Sequence, residues 1–129
     1  MVRNINTDEI PTVHNLRNTP VSTEREGFEQ TIFRGMDQMV AITTIGPSHK
    51  DRSTHSHPWE QVNILLEGEL DLIVGDERVS LDPYDAMVIP PNVEHASRVT
   101  STESATLLAH WPIREDRLEA TEYQQEFDV

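Results

Sequence analysis

Cysteine is absent from this chain of 129 residues, which excludes disulfides and every cysteine-based zinc site. Lysine is nearly absent as well: Lys50 is the only one, and all the other basic residues are arginine. No apolar run is long enough to cross a bilayer. There is no internal repeat and no low-complexity tract. The opening residues, Met1-Val2-Arg3-Asn4-Ile5-Asn6, lack the hydrophobic segment of a signal peptide, so the expected location is the cytoplasm. Positive charge is scarce overall, and the net charge is −13. Such a chain is repelled by phosphate backbones and anionic membranes, so neither nucleic acid nor membrane is an expected partner. A carboxylate-rich, lysine-poor surface suits a concentrated-salt cytoplasm, where screening suppresses self-repulsion. An ordinary acidic protein from a GC-rich genome carries the same bias.

The length corresponds to one domain able to bury a real core. Short runs of apolar and β-branched residues recur between turn signals. Met39 to Ile45 ends at Gly46-Pro47, Val62 to Leu66 runs into Glu67-Gly68-Glu69, and Leu70 to Val74 follows that turn. An apolar run, a glycine turn and a second apolar run read as a hairpin. Gly75-Asp76 and Asp82-Pro83-Tyr84-Asp85 separate further short runs, Arg78 to Leu81 and Ala86 to Ile89, and Ala105 to Trp111 forms a last strand. Short strands at close intervals predict an all-β barrel or sandwich. The domain boundaries read as an arm over residues 1–27, a barrel over 28–113 and a charged tail over 114–129. The tail is a solvated face with Leu118 as its packing residue.

The chemistry gathers in His55-Ser56-His57-Pro58-Trp59-Glu60-Gln61. In a strand, residues of equal parity share a face, so His55, His57, Trp59 and Gln61 project together. Two imidazoles two strand positions apart stand about 6.5–7 Å apart at the backbone, near enough to converge on one ion. On a helix the same pair would be about 200° apart. Glu60 has the opposite parity and faces away, unless Pro58 introduces a bulge that exchanges it with Gln61. A second stretch, Ile89-Pro90-Pro91-Asn92-Val93-Glu94-His95, is a Pro/Asn turn that delivers another histidine onto a strand. His49 lies in a polar loop and reads as solvated. Trp59 either walls the site or packs in the core.

These two stretches resemble the cupin superfamily, specifically its small single-domain members, over about residues 40–111. Their first motif is G-x5-H-x-H-x3–4-E-x6-G. Here His55, His57, Gln61 and Gly68 match it, with glutamine in place of the usual glutamate and Gly46 too far upstream for the leading glycine. Their second motif is G-x5-P-x-G-x2-H-x3-N. Pro90, Asn92 and His95 match it in spacing, while Tyr84 and Val99 occupy the outer glycine and asparagine positions. Asparagine in place of the inner glycine is a mild exchange, because it tolerates positive φ better than most residues. The resemblance implies a small antiparallel β-barrel of the double-stranded β-helix, jelly-roll type. It implies one divalent transition metal (Zn, Ni, Mn or Fe) held by His55, His57, Gln61 and His95. It also implies a small-molecule substrate, and a homodimer in which the amino-terminal arm pairs with a second subunit.

Three imidazoles and an amide oxygen bring no formal charge, so a bound divalent ion keeps nearly its full +2. Gln61 cannot act as a general base. Redox-neutral Lewis-acid chemistry is therefore the expected reaction type, with an Fe(II) dioxygenase and a non-catalytic metal- or metabolite-binding cupin as alternatives. Within the superfamily, His-Ser-His-Pro-x-Glu-Gln followed by Pro-Pro-Asn-Val-x-His looks like the group that includes the pectin-degradation cupins, which open unsaturated uronates. Their carboxy-terminal pattern D-x-F-x-P-x-R-E-D is matched in its second half by Pro112, Arg114, Glu115 and Asp116. That match makes Arg114 a candidate to grip a substrate carboxylate. Leu108 stands where the acid would be and His110 where the phenylalanine would be. Imidazole suits acid/base work near neutral pH, so His110 is the candidate replacement acid/base, or else a surface or core histidine with no catalytic role. It has the parity of Leu108 and reaches the interior if Leu108 does.

Overall fold

The computed structural model describes residues 15–18, 22–25, 27–35, 37–47 and 54–112. The remainder of the arm, His49, Arg114 and the tail with Leu118 lie outside the described residues. Among the described residues, a 3₁₀ turn at Leu16–Asn18 is followed by nine strands: β1 (Ser22–Arg25), β2 (Phe28–Arg34), β3 (Gln38–Ile45), β4 (Gln61–Glu67), β5 (Leu70–Val74), β6 (Glu77–Leu81), β7 (Ala86–Ile89), β8 (His95–Val99) and β9 (Ala105–Pro112). They form two antiparallel sheets, one of six strands in the order β1-β2-β3-β9-β4-β7 and one of three in the order β6-β5-β8. This is the all-β fold that the spacing of short strands predicts, of the jelly-roll barrel type that the resemblance implies. β1, the described part of the arm, pairs with β2 of its own chain at the sheet edge. Among the described residues no helix is long and apolar enough to cross a membrane.

The runs on either side of Gly68 are strands, but they do not form the expected hairpin. β4 bonds to β7 and β9 in the large sheet, whereas β5 bonds to β6 and β8 in the small one. Gly68 is the corner where the chain leaves one sheet for the other. The β4–β9 register slips between Leu65 and Glu67, a bulge that bends the strand into that corner. Gly68 has φ +84°, and a Cβ added there would stand 2.8 Å from the Ala105 Cα. The true tight hairpin is β5–β6, where Val74 faces Glu77 across Gly75-Asp76. Gly75 has φ +60°, and glycine in the first of two loop positions is what a type II′ turn needs.

Strict alternation on β3 and β9 sends Met39, Ala41, Thr43 and Ile45, and Ala105, Leu107, Ala109 and Trp111, into the interior. One interior cluster is aliphatic: Ile45, Leu65, Leu70, Leu72, Leu81, Ala105 and Leu107. The other holds Ile32, Met39, Ala41, Ala109 and Trp111, with Trp59 packed against it. Two outward rows of the large sheet are apolar but for one histidine. Val40, His110, Val62 and Val88 stand side by side across four strands, and Ile42, Leu108, Ile64 and Ala86 form the next row.

The small sheet carries an ion pair on its outer face. Asp71 is buried on β5 opposite Ser80 and Arg98, and it accepts hydrogen bonds from Arg78 Nε and, at 2.7 Å, from Ser80 Oγ. The Arg78 bond first, then the Ser80 bond, hold its carboxyl below the usual carboxylate range. A depressed acid stabilises the fold above its unfolded pKa and loses that contribution as pH falls through the folded one. Arg78 is half exposed, so the interaction is screened. Asp71→Asn is expected to cost about 1 kcal/mol at neutral pH. Melting curves should converge with those of the parent well below about pH 4, and a gap that persists there would remove the carboxylate from the account.

Candidate metal centre

Two backbone clamps bring the histidine stretches together. His55 and His95 form an isolated antiparallel bridge, with His55 N–H donating to His95 O at 3.1 Å and His95 N–H to His55 O at 2.8 Å. Asn92 N–H donates to His57 O at 2.7 Å. Asn92 has φ +64°, the left-handed geometry that the family's glycine would supply and that asparagine tolerates. Tyr84, at the outer glycine position, has φ +72° as well and is 82% exposed. The His-x-His stretch is therefore an extended segment pinned to β8 by one bridge, and β4 begins only at Gln61.

The three imidazoles converge. Ring centroids are 4.3 Å apart for His55 and His95, 4.9 Å for His57 and His95, and 6.2 Å for His55 and His57. One nitrogen from each lies within 4.8 Å of the others. His57 and His95 are buried, and His55 is exposed at the mouth. His57 Nδ1 lies 2.8 Å from Trp59 O and His95 Nδ1 lies 2.9 Å from Val93 O. A carbonyl only accepts, so both Nδ1 atoms carry hydrogen, and a neutral ring of that tautomer has its lone pair on Nε2. An imidazole whose remote N–H is held by a carbonyl is the arrangement found in metal-ligating histidines. The Trp59 ring stacks on His57 at 5.3 Å with planes 9° apart.

Gln61 completes the group. Its Oε1 lies 3.2 Å from His57 Nε2 and accepts from Trp111 Nε1–H at 2.7 Å, while its Nε2 donates to Asn63 Oδ1 at 2.8 Å. In the neutral Nδ1–H tautomer the Gln61 oxygen and the His57 nitrogen oppose lone pair to lone pair, which a cation between them relieves. Adjacent ligands on a metal with bonds of about 2.1 Å stand about 3 Å apart, close to the observed spacing. By donor type, tautomer and separation, the residues fit a divalent transition ion.

Glu60 is exposed and lies away from the imidazoles. It lines an outer cavity of about 290 Å³ with Asp37, Gln38, Val62, His110 and Pro112. His110 is there because the alternation of β9 buries Ala109 and Trp111 and turns Leu108 and His110 outward. Its Nε2 bonds to Gln38 Oε1 at 2.7 Å. The structure does not bring His110 to the three imidazoles. The interior polar partners Trp111 and Asn63 were not expected at the site. Their signal in the sequence is parity: Asn63 is a polar residue on the inward face of an otherwise apolar strand, two positions from Gln61.

The family's sequence profile, described as a cupin domain, matches residues 41–111. The chain is a cupin. No curated protein sequence matches it, but solved structures share its fold. An RmlC-like cupin from Shewanella frigidimarina NCIMB 400 superposes with a TM-score of 0.71 at 20% identity, over 84% of this chain and 96% of that one. KdgF from Halomonas sp. gives 0.74 at 19%, over 84% and 100%. Hydroxypropylphosphonic acid epoxidase from S. wedmorenis gives 0.67 at 18%, over 83% and 61%. At these identities the cupin likeness is one of fold, which hosts unlike chemistries.

Proposed function

We propose that this cupin is a metal-dependent enzyme. His55, His57, His95 and Gln61 would hold one divalent transition ion, and the reaction is the ring opening or isomerisation of a small sugar acid such as an unsaturated uronate. The observation that carries this is the convergence of three imidazole nitrogens within 4.8 Å, with the Nδ1 atoms of the two buried rings engaged by carbonyls. When bound, the ion supplies Lewis-acid polarisation of a substrate oxygen. The chain's own part is orientation. Trp59 O and Val93 O fix the two buried rings, the His55–His95 bridge fixes the third, and buried Trp111 closes the interior behind Gln61. The resemblance of the motifs to the pectin-degradation group supports the substrate class, and Arg114 is the proposed carboxylate grip. The outward-facing His110 is assigned no step. A second copy of the chain is the proposed partner, supported by the apolar rows on the outside of the large sheet, a face that antiparallel sheets ordinarily leave polar.

The test begins with elemental analysis of untagged protein prepared without chelator. Near-stoichiometric zinc, nickel or manganese is expected, with consumption of the ring double bond of a 4,5-unsaturated uronate by the loaded protein. Iron together with oxygen uptake would replace the proposal with a dioxygenase. Protein that takes up no ion would end the enzyme reading. Sedimentation equilibrium on the same sample should give twice the 14.7 kDa chain mass, and a monomer would remove the second copy.

A further inference from the structure

Gln61 sits in an orientation that two of its neighbours, the His57 imidazole and the Asn63 amide, do not favour. With Oε1 turned to a neutral His57 whose Nδ1 carries the hydrogen, two acceptors face each other at 3.2 Å. With Gln61 Nε2 donating to Asn63 Oδ1, the Asn63 amide is turned so that its buried Nδ2 meets no acceptor among the described residues. Rotating both amides by half a turn would relieve the first fault, while setting the Asn63 oxygen where its unpartnered nitrogen now lies. Gln61 Nε2 would then donate to the His57 lone pair, and Asn63 Nδ2 would donate to Gln61 Oε1. Amide pairs exchange donor and acceptor freely in this way. One neighbour forbids it. The Trp111 indole N–H is a donor only, is buried, and points at the Gln61 oxygen at 2.7 Å. A rotated amide would confront it with a second donor.

We infer that Trp111 is the positioning residue of the metal centre, holding the Gln61 amide with oxygen, not nitrogen, toward the histidines. This rests on the proposed metal site and adds to it the group that makes residue 61 an oxygen donor before any ion arrives. Without the indole N–H, the relaxed orientation gains a hydrogen bond to His57 that must be broken before the ion can bind. Such a bond corresponds to about a tenfold loss of affinity. A carboxylate at position 61 has two equivalent oxygens, so its orientation needs no selection.

The experiment is a two-by-two comparison of Zn²⁺ affinity, by competition with a chromophoric chelator. The four proteins are the parent, Trp111→Phe, Gln61→Glu, and the two substitutions combined. The expected result is about a tenfold weakening by Trp111→Phe in the parent, shrinking to about twofold or less in the Gln61→Glu background. Equal weakening in both backgrounds, or none in the parent, overturns the positioning role and leaves the metal site standing. A parent protein that binds no Zn²⁺ overturns the metal site itself. If Trp111→Phe does not fold, the parent answers through its indole N–H resonances, with Trp59→Phe assigning them. The Trp111 signal is expected to be protected from hydrogen exchange without metal and to shift on adding Zn²⁺. Rapid exchange, or no shift while Zn²⁺ binds, overturns the inference.

Discussion

Replacing His57 and His95 together by alanine is expected to abolish metal binding and uronate turnover in parallel. These two rings are the buried members of the cluster, and their Nδ1 atoms are already engaged by Trp59 O and Val93 O. Each substitution removes both a ligand nitrogen and the hydrogen bond that aimed it. Loss of an outer partner alone typically costs ten- to a hundredfold in metal affinity, so the loss of two ligands should exceed about a hundredfold. The remaining pair, exposed His55 and Gln61, offers one imidazole and one weakly donating amide. The two backbone carbonyls would each lose the imidazole donor, at about 1–3 kcal/mol each, so circular dichroism should accompany metal analysis to establish that the variant is folded. A folded variant that retains stoichiometric metal would place the ion elsewhere and remove the proposed centre.

Gly68→Ala is expected to be the most damaging of the single methyl additions. The residue has φ +84°, where an L side chain costs about 1–2 kcal/mol. The new Cβ would also meet the Ala105 Cα at 2.8 Å, the Ser104 carbonyl oxygen at 2.9 Å and the Ala105 Cβ at 3.0 Å. Two of these are backbone atoms, so relief requires a shift of β9 itself, and overpacking of this kind costs about 1–3 kcal/mol. Together the two effects reach about 2–5 kcal/mol, a large share of the stability of a domain this size. Chemical denaturation should show the loss as a lower midpoint at unchanged slope. A midpoint within a few tenths of a molar of the parent would mean that the corner is slack.

Much of this architecture is legible from residue order, and the limits have physical causes. Alternation placed the strands, because half-buried antiparallel strands separate their faces by parity. Parity also put His57 and Gln61 together and Glu60 apart; the structure keeps that separation although the chain bends at Pro58-Trp59 and β4 begins only at Gln61. Parity could not say which side of β9 faces inward. Ala109 and Trp111 are no more distinctly interior in composition than Leu108 and His110, since both faces of the large sheet are apolar. The partner of each strand was equally hidden. Leu65 and Leu70 flank a glycine as hairpin strands do, and only the bulge before Gly68 and the close approach of Ala105 turn that hairpin into a corner between sheets. Trp111 and Asn63 could not be connected to Gln61 from sequence, because the β4–β9 pairing that joins them spans nearly fifty residues of chain.

The bridge between His55 and His95 has a mechanical side as well. An ion gripped by the two stretches it joins would close a ring of about forty residues, and in the chain-entropy model a tie across such a ring removes about 4 kcal/mol of freedom from the unfolded chain. In a protein with no cysteine, coordination is the cross-link available to do this. Metal loading would then set how long the folded chain survives as well as what it can catalyse, so the supply of the ion would govern how much of the protein persists.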